Sequence, residues 1–252
     1  MIYLKSRAEI EKMRRANVIV AEVLAVLKET VRPGMTTLEL DELAERLTLE
    51  KGAKPAFKGY GVAGREFRHS LCTSVNEEIV HGVPSKRVLK EGDILGMDFG
   101  VVYEGFYGDS AVTVGLGQVS PEAERLMRVT ETALSEGIEM LREGNRLGDL
   151  GSTIQGIAER SGYSVVREFV GHGIGKKLHE EPPVPNYGEA GKGHRLRAGM
   201  VLAVEPMVNA GKKEIAILDD GWTAVTRDRS LAAHFEHSIA VTADGPYVLS
   251  RL

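Results

Sequence analysis

Two of the chain's seven histidines, His172 and His179, stand in the stretch GHGIGKKLHEEP at residues 171–182. Seven residues apart, they are not the i, i+4 pair of a zinc-binding helix. Four acids occupy equally unusual places. Asp98 ends the apolar run DILGMD and Glu205 ends MVLAVE, while Asp109 follows in YGDSAVTV and Glu236 in HFEHSIAV. An acid in such a run is costly to bury unless it is paired or binds a cation. Brought together, these carboxylates would repel one another and take up protons. Two divalent cations would balance the charge and leave room for His172 as a neutral nitrogen ligand, an arrangement suited to activating water. Taken singly, each residue has a plainer reading: a turn aspartate, a solvated edge glutamate, a loop histidine.

The elements that must carry these residues read as helix, helix, strands, twice over. Ser6 with Glu9 forms a capping box ahead of an amphipathic run in which Ile10, Met13, Val20, Leu24, Leu27 and Val31 share a face. VRPG ends that helix, and Thr36 with Glu39 opens a second, to about residue 51. Residues 70 to 115 are β-like, with turns at HGVP, KEGD and YEGFYGD. Ser120-Pro121 starts a third helix, REGNRLGD leads into a fourth to about residue 161, and strands and loops follow. The repetition is also in the letters. LKEGDILGMD (89–98) aligns without gaps on LRAGMVLAVE (196–205), which sets Asp98 on Glu205, and VRPGMTTLEL (31–40) aligns more loosely on LREGNRLGDL (141–150). This predicts related halves near 1–118 and 119–252 within one pseudo-symmetric domain spanning 1–252. A pseudo-two-fold axis would bring the acids of both halves together.

Composition narrows the class. At 252 residues, 42% hydrophobic and 27% charged, the chain reads as a soluble globular protein, and a net charge of −4 gives no support for a nucleic-acid partner. No apolar run reaches membrane-spanning length, and MIYLKSRAEIEKMRR has no apolar core of a secretion signal. The single cysteine, Cys72, excludes an internal disulfide and fits the cytoplasm. His194, among basic residues in GKGHRLR, is expected at the surface.

The segments NEEIVHGVP, MDFGVVYEGFYGDSAVT, GHGIGKKLHEEP, VEPMV and HFEHSIAVT, in this order, resemble the successive signatures of type I methionine aminopeptidases over essentially the whole chain. The resemblance implies the α/β (α+β) pita-bread fold, with duplicated halves and antiparallel sheet covered by helices. It also implies two divalent cations (Co, Mn, Fe or Zn) on Asp98, Asp109, His172, Glu205 and Glu236, with Asp109 and Glu236 bridging. By the same resemblance His179 bonds the scissile amide and stabilises the tetrahedral intermediate, His81 faces the substrate, and Glu205 shuttles a proton. Tyr60, Cys72 and Trp222 match positions of the methionine pocket. The implied substrate is the N-terminal Met of nascent polypeptides when the second residue is small. A cytoplasmic monomer in transient contact with the ribosome, with no specific nucleic-acid or membrane partner, completes the expectation. Met1-Ile2 of this chain should itself resist cleavage, because Ile2 is large and β-branched.

The sequence departs from the family pattern in three places. Leu178 stands where an aromatic often precedes the second His, VAGREFRHS (62–70) is longer than the usual connection, and His234 stands where Gln is common. If 234–236 is a strand, His234 faces the same side as Glu236 and sits close to the metals. The alternatives are an Xaa-Pro aminopeptidase, which shares the fold and ligand set but usually carries a large extra domain, and a non-catalytic module of the same fold, which would have lost ligands.

Overall fold

The computed structural model describes residues 1–62 and 64–252; Ala63, within the 62–70 stretch, lies outside the described residues. Among the described residues there are four long helices, three of which begin where the capping signals place them. The helices are α1 (Arg7–Thr30), α2 (Thr37–Glu50), α3 (Pro121–Ile138) and α4 (Leu147–Arg160). Both predicted capping boxes are formed: Ser6 Oγ accepts from Glu9 N–H, and Thr36 Oγ1 from Glu39 N–H, with each glutamate reaching back to the cap backbone. Ser120 caps α3, with Pro121 in its first turn. On α1 the predicted face is buried from Ile10 to Leu27.

The strands that matter for the site are β1 (Leu71–Val75), β2 (Ile94–Tyr103), β3 (Phe106–Gly115), β4 (Gly171–Gly173) and β5 (Glu180–Val184). They continue with β6 (Val201–Val204), β7 (Met207–Asn209), β8 (Ala232–His234), β9 (His237–Thr242) and β10 (Gly245–Val248). In the first half β2 pairs antiparallel with β1 and, through a hairpin, with β3. The hairpin turns at Glu104 and Gly105, both at positive φ, as a two-residue primed turn requires. In the second half the sheet order is β5-β4-β6-β9-β10.

The halves use the same local geometry. In the first, Thr36 bridges Val88 and Gly34 N–H donates to Leu89 O; at the aligned places of the second, Arg146 bridges Arg195 and Gly144 N–H donates to Leu196 O. β2 begins at Ile94 and β6 at Val201, which the repeat aligned. Each half has its own core. Ala16, Val20 and Leu27 of α1 pack on Leu95, Met97 and Phe99 of β2. Leu126 and Ile154 of α3 and α4 pack on Leu202 and Ile239 of β6 and β9.

The halves meet where β3 passes the β8–β9 junction. Glu236 N–H donates to Ala111 O at 2.9 Å, Ser110 Oγ donates to Glu236 O at 2.6 Å, and Ser238 Oγ donates to Asp109 O at 2.8 Å. Thr113 Oγ1 donates to His234 O and accepts from His234 N–H. The backbone of each half thus holds the carboxylate-bearing backbone of the other.

Candidate metal centre and substrate cavity

Asp98 and Asp109 project from one face of the β2–β3 hairpin. Asp98 lies opposite Ala111 and Asp109 opposite Gly100, so the acids are diagonal neighbours. Gly100 leaves the space they need, since a Cβ there would meet Asp109 Oδ1 at 3.1 Å and Phe57 at 2.9 Å. Behind Asp109, Gly108 lets α1 cross in backbone contact with β3, and Asn17 of α1 accepts the Asp109 N–H at 3.2 Å.

His172 stands on β4, between β5 and β6, opposite Pro183 and Ala203. The glycines beside it therefore lie in extended strand and form no turn. A Cβ at Gly171 would sit 2.3 Å from Ala203 O, and one at Gly173 2.3 Å from Glu181 O. They are glycines because neighbouring strands press on both sides of a short central strand. Nδ1 of His172 lies 2.9 Å from Gly173 O. A carbonyl only accepts, so Nδ1 carries the proton and Nε2 presents a lone pair, 3.5 Å from Glu205 Oε1. Glu205 follows the last residue of β6, at the break made by Pro206, and Asn186 Nδ2 donates to its carbonyl at 3.0 Å.

Ligand atoms of Asp109, His172 and Glu236 lie within 4.8 Å of one another. Asp98 Oδ1, Asp109 Oδ1 and Glu236 Oε1 are buried and have no hydrogen-bond partner among the described residues. Burial, reinforced for the last three by neighbouring carboxylates, lifts Asp98 to about 7 and holds Asp109, Glu205 and Glu236 well above the usual carboxylate range. Burial also keeps the His172 imidazole neutral, with its pKa pushed down to about 3. Orphaned buried oxygens, mutually repelling acids and a free imidazole lone pair are a donor set that divalent cations fit.

The residues singled out in the sequence line one cavity of about 290 Å³: Tyr60, Cys72, His81, Asp98, Asp109, His172, His179, Glu205, Trp222 and Glu236. Cys72 is there because β1 pairs it directly with Asp98. Its thiol is buried and its pKa is raised well above the ordinary value, chiefly by that burial. His81 holds a left-handed φ of 59° and meets Phe169 edge to face; burial lowers its pKa to about 4. His179 stands at the mouth, its ring centroid 4.2 Å from that of His172 and its Nδ1 2.7 Å from Tyr60 Oη. Phe57, Phe67 and Leu178 complete the apolar wall, and Phe67 meets Trp222 edge to face at 5.3 Å. Phe57 was not legible beforehand: it sits in KPAFKGY, with no motif around it. His234 ends β8, buried, with Nε2 4.0 Å from Glu205 Oε2; 234–236 is not a continuous strand, so this closeness comes from the β8–β9 junction and not from alternation along a strand. His194 is exposed.

Known proteins resemble this chain over its whole length. Residues 11–243 match metallopeptidase family M24. The methionine aminopeptidase of Clostridium perfringens is 51% identical over 251 residues, 99% of each chain. The crystal structure of methionine aminopeptidase from Thermotoga maritima superposes with a TM-score of 0.97 at 45% identity, covering both chains fully. A prolidase from Pyrococcus furiosus, 22% identical with a TM-score of 0.79, is matched over 99% of this chain and 65% of its own, a likeness of fold alone. The chain belongs to metallopeptidase family M24, among its methionine aminopeptidases.

Proposed function

We propose that residues 1–252 form one catalytic unit that removes the N-terminal Met of nascent polypeptides whose second residue is small, using two divalent cations held by Asp98, Asp109, His172, Glu205 and Glu236. Methionine aminopeptidase activity and the use of divalent metal follow from the family. The observation that carries the residue assignment is the set of buried, partnerless carboxylate oxygens lining the same cavity as an apolar wall.

The cations, when bound, supply Lewis-acid activation of water and of the scissile carbonyl. The chain's own groups do the rest. Asp109 and Glu236 approach from opposite halves and would hold the cations from both sides. The apolar wall of Phe57, Tyr60, Phe67, Cys72, Leu178 and Trp222 receives the unbranched Met side chain. Cys72, held as the neutral thiol, adds soft surface and no charge. In the tautomer in which the Tyr60 hydroxyl donates to His179 Nδ1, the His179 proton sits on Nε2. There it can donate to the oxygen that becomes negative in the tetrahedral intermediate. His81 closes the substrate side. Glu205, following β6, would take a proton from the attacking water at an Oε atom and return it to the leaving amine. A nascent-chain substrate and a single buried cysteine support a cytoplasmic setting, and a site complete within one chain supports a working monomer.

The test is release of free Met from Met-Ala-Ser and Met-Leu-Ser by protein stripped of metal and reloaded with Mn, Fe, Co or Zn. Metal-dependent cleavage of the first peptide and not the second is expected; equal cleavage of both would overturn the size rule. His179→Ala should keep its metals and lose kcat by about 10²-fold with little change in KM. Loss of metal in that variant would show His179 to be a ligand. Protein made in a cell from this sequence should retain Met1, and Ile2→Ala should lose it, as intact mass would report.

A further inference from the structure

One ion pair among the described residues differs from the rest. Lys5 Nζ lies 2.6 Å from Glu180 Oε2, and the side chains are only 6% and 9% exposed. The other pairs between Lys or Arg and a carboxylate have at least one partner well in contact with solvent. A buried ion pair adds little net stability over apolar packing, so its presence calls for a use. Glu180 follows His179. Its second oxygen, Oε1, accepts the backbone N–H groups of Lys176 at 2.8 Å and Lys177 at 3.2 Å. One carboxylate therefore gathers the turn 174–180 and ties it to the N-terminal strand of chain. That strand is itself fixed: Lys5 N–H donates to Gly199 O at 2.7 Å, and Ile2 packs against the core of the second half. Gly175 has an ordinary φ, so no turn requires it. A Cβ there would lie 2.6 Å from Glu180 Oε1 and 2.7 Å from Lys5 Cε. The last glycine of GHGIG makes room for this pair.

We propose that Lys5 is a positioning residue: through the buried Lys5–Glu180 pair it holds the 174–180 turn and so sets where His179 stands at the mouth of the cavity. The proposal rests on the reading of His179 as the partner of the developing oxyanion. Tyr60 holds the His179 ring at Nδ1, and Lys5, through Glu180, holds the backbone from which that ring projects. A hydrogen bond that matters only in the transition state is sensitive to displacements of an ångström or less.

Lys5→Met keeps the aliphatic stem and removes the charge. It should lower kcat on Met-Ala-Ser by about tenfold, leave KM within about twofold and leave metal content unchanged. Lys5→Arg should restore most of the loss. The double variant Lys5→Met/His179→Ala should turn over no more slowly than His179→Ala alone, because a residue acting through His179 has nothing left to position. Unchanged kcat in Lys5→Met, or an equal tenfold loss in both backgrounds, would overturn the proposal. Full turnover by His179→Ala would overturn the reading of His179 and this proposal with it. If Lys5→Met does not accumulate as folded protein, Gly175→Ala supplies the same test: both charges stay, their seat is filled, and kcat should fall with KM held. Full kcat there would equally overturn the proposal.

Discussion

The two halves of the molecule share a plan and differ in how they present their acids. In the first, Asp98 and Asp109 sit within two uninterrupted ten-residue strands joined by a two-residue turn. In the second, Glu205 follows a four-residue strand broken by Pro206, and Glu236 lies between β8 and β9. The short acid comes from the rigid hairpin and the longer acid from the break. The second half also carries β4 and β5 beside β6, and β4 brings the His172 imidazole to the carboxylates. The shared plan accounts for an acid at each of the aligned positions 98 and 205, and the departures from it account for His172 and for the different settings of the acids.

The comparison can be broken most severely at its shared centre. Asp109→Asn and Glu236→Gln keep the volume but remove one charge from either half. Each should lose bound metal and cut turnover by at least about 10³-fold with the fold intact by circular dichroism. Near-normal turnover with full metal content in either would end the symmetrical reading. Glu205→Asp tests whether the second half needs the longer acid. Drawing the carboxylate back by one methylene should cost about 10²-fold in kcat, and no loss would mean that the difference between Asp and Glu carries no function. The smallest effect is expected at the seam. Ser238→Ala removes a hydrogen bond to Asp109 O and should cost about 1 kcal/mol, a Tm lower by about 2–4 °C. An unchanged Tm would show the seam to be held by backbone contacts and packing alone.

Much of this was legible in advance because it depends on local chemistry. The helices start at Ser6, Thr36 and Ser120 because hydroxyl caps satisfy free backbone N–H groups wherever they occur. The gapless match of 89–98 with 196–205 set Asp98 on Glu205, although Asp98 stands inside β2 and Glu205 just past the end of β6. Other features lay beyond sequence reading for a physical reason. Nothing in the spacing of Gly171 and Gly173 announces a central strand; only the carbonyls of Ala203 and Glu181 pressing on them reveal it. Phe57 has no periodic neighbours to announce it and reaches the cavity only because its backbone joins the edge of β2, where Ala56 N–H bonds Gly100 O.

The sequence by itself determined which residues carry charge, lone pairs and apolar surface, where the helices are capped, and that one plan is used twice, since these are properties of residue type and spacing. The tertiary structure decided which of those residues meet. Asp109 and Glu236 stand 127 residues apart in the chain and share a centre only because β3 and the β8–β9 junction exchange hydrogen bonds through Ser110, Ala111 and Ser238. Lys5 and Glu180, ordinary surface residues in a linear reading, become a buried pair only when the N-terminal strand of chain closes over Gly175. Burial, repulsion and the cost of an unpaired charge depend on neighbours in space, and those neighbours exist only after folding.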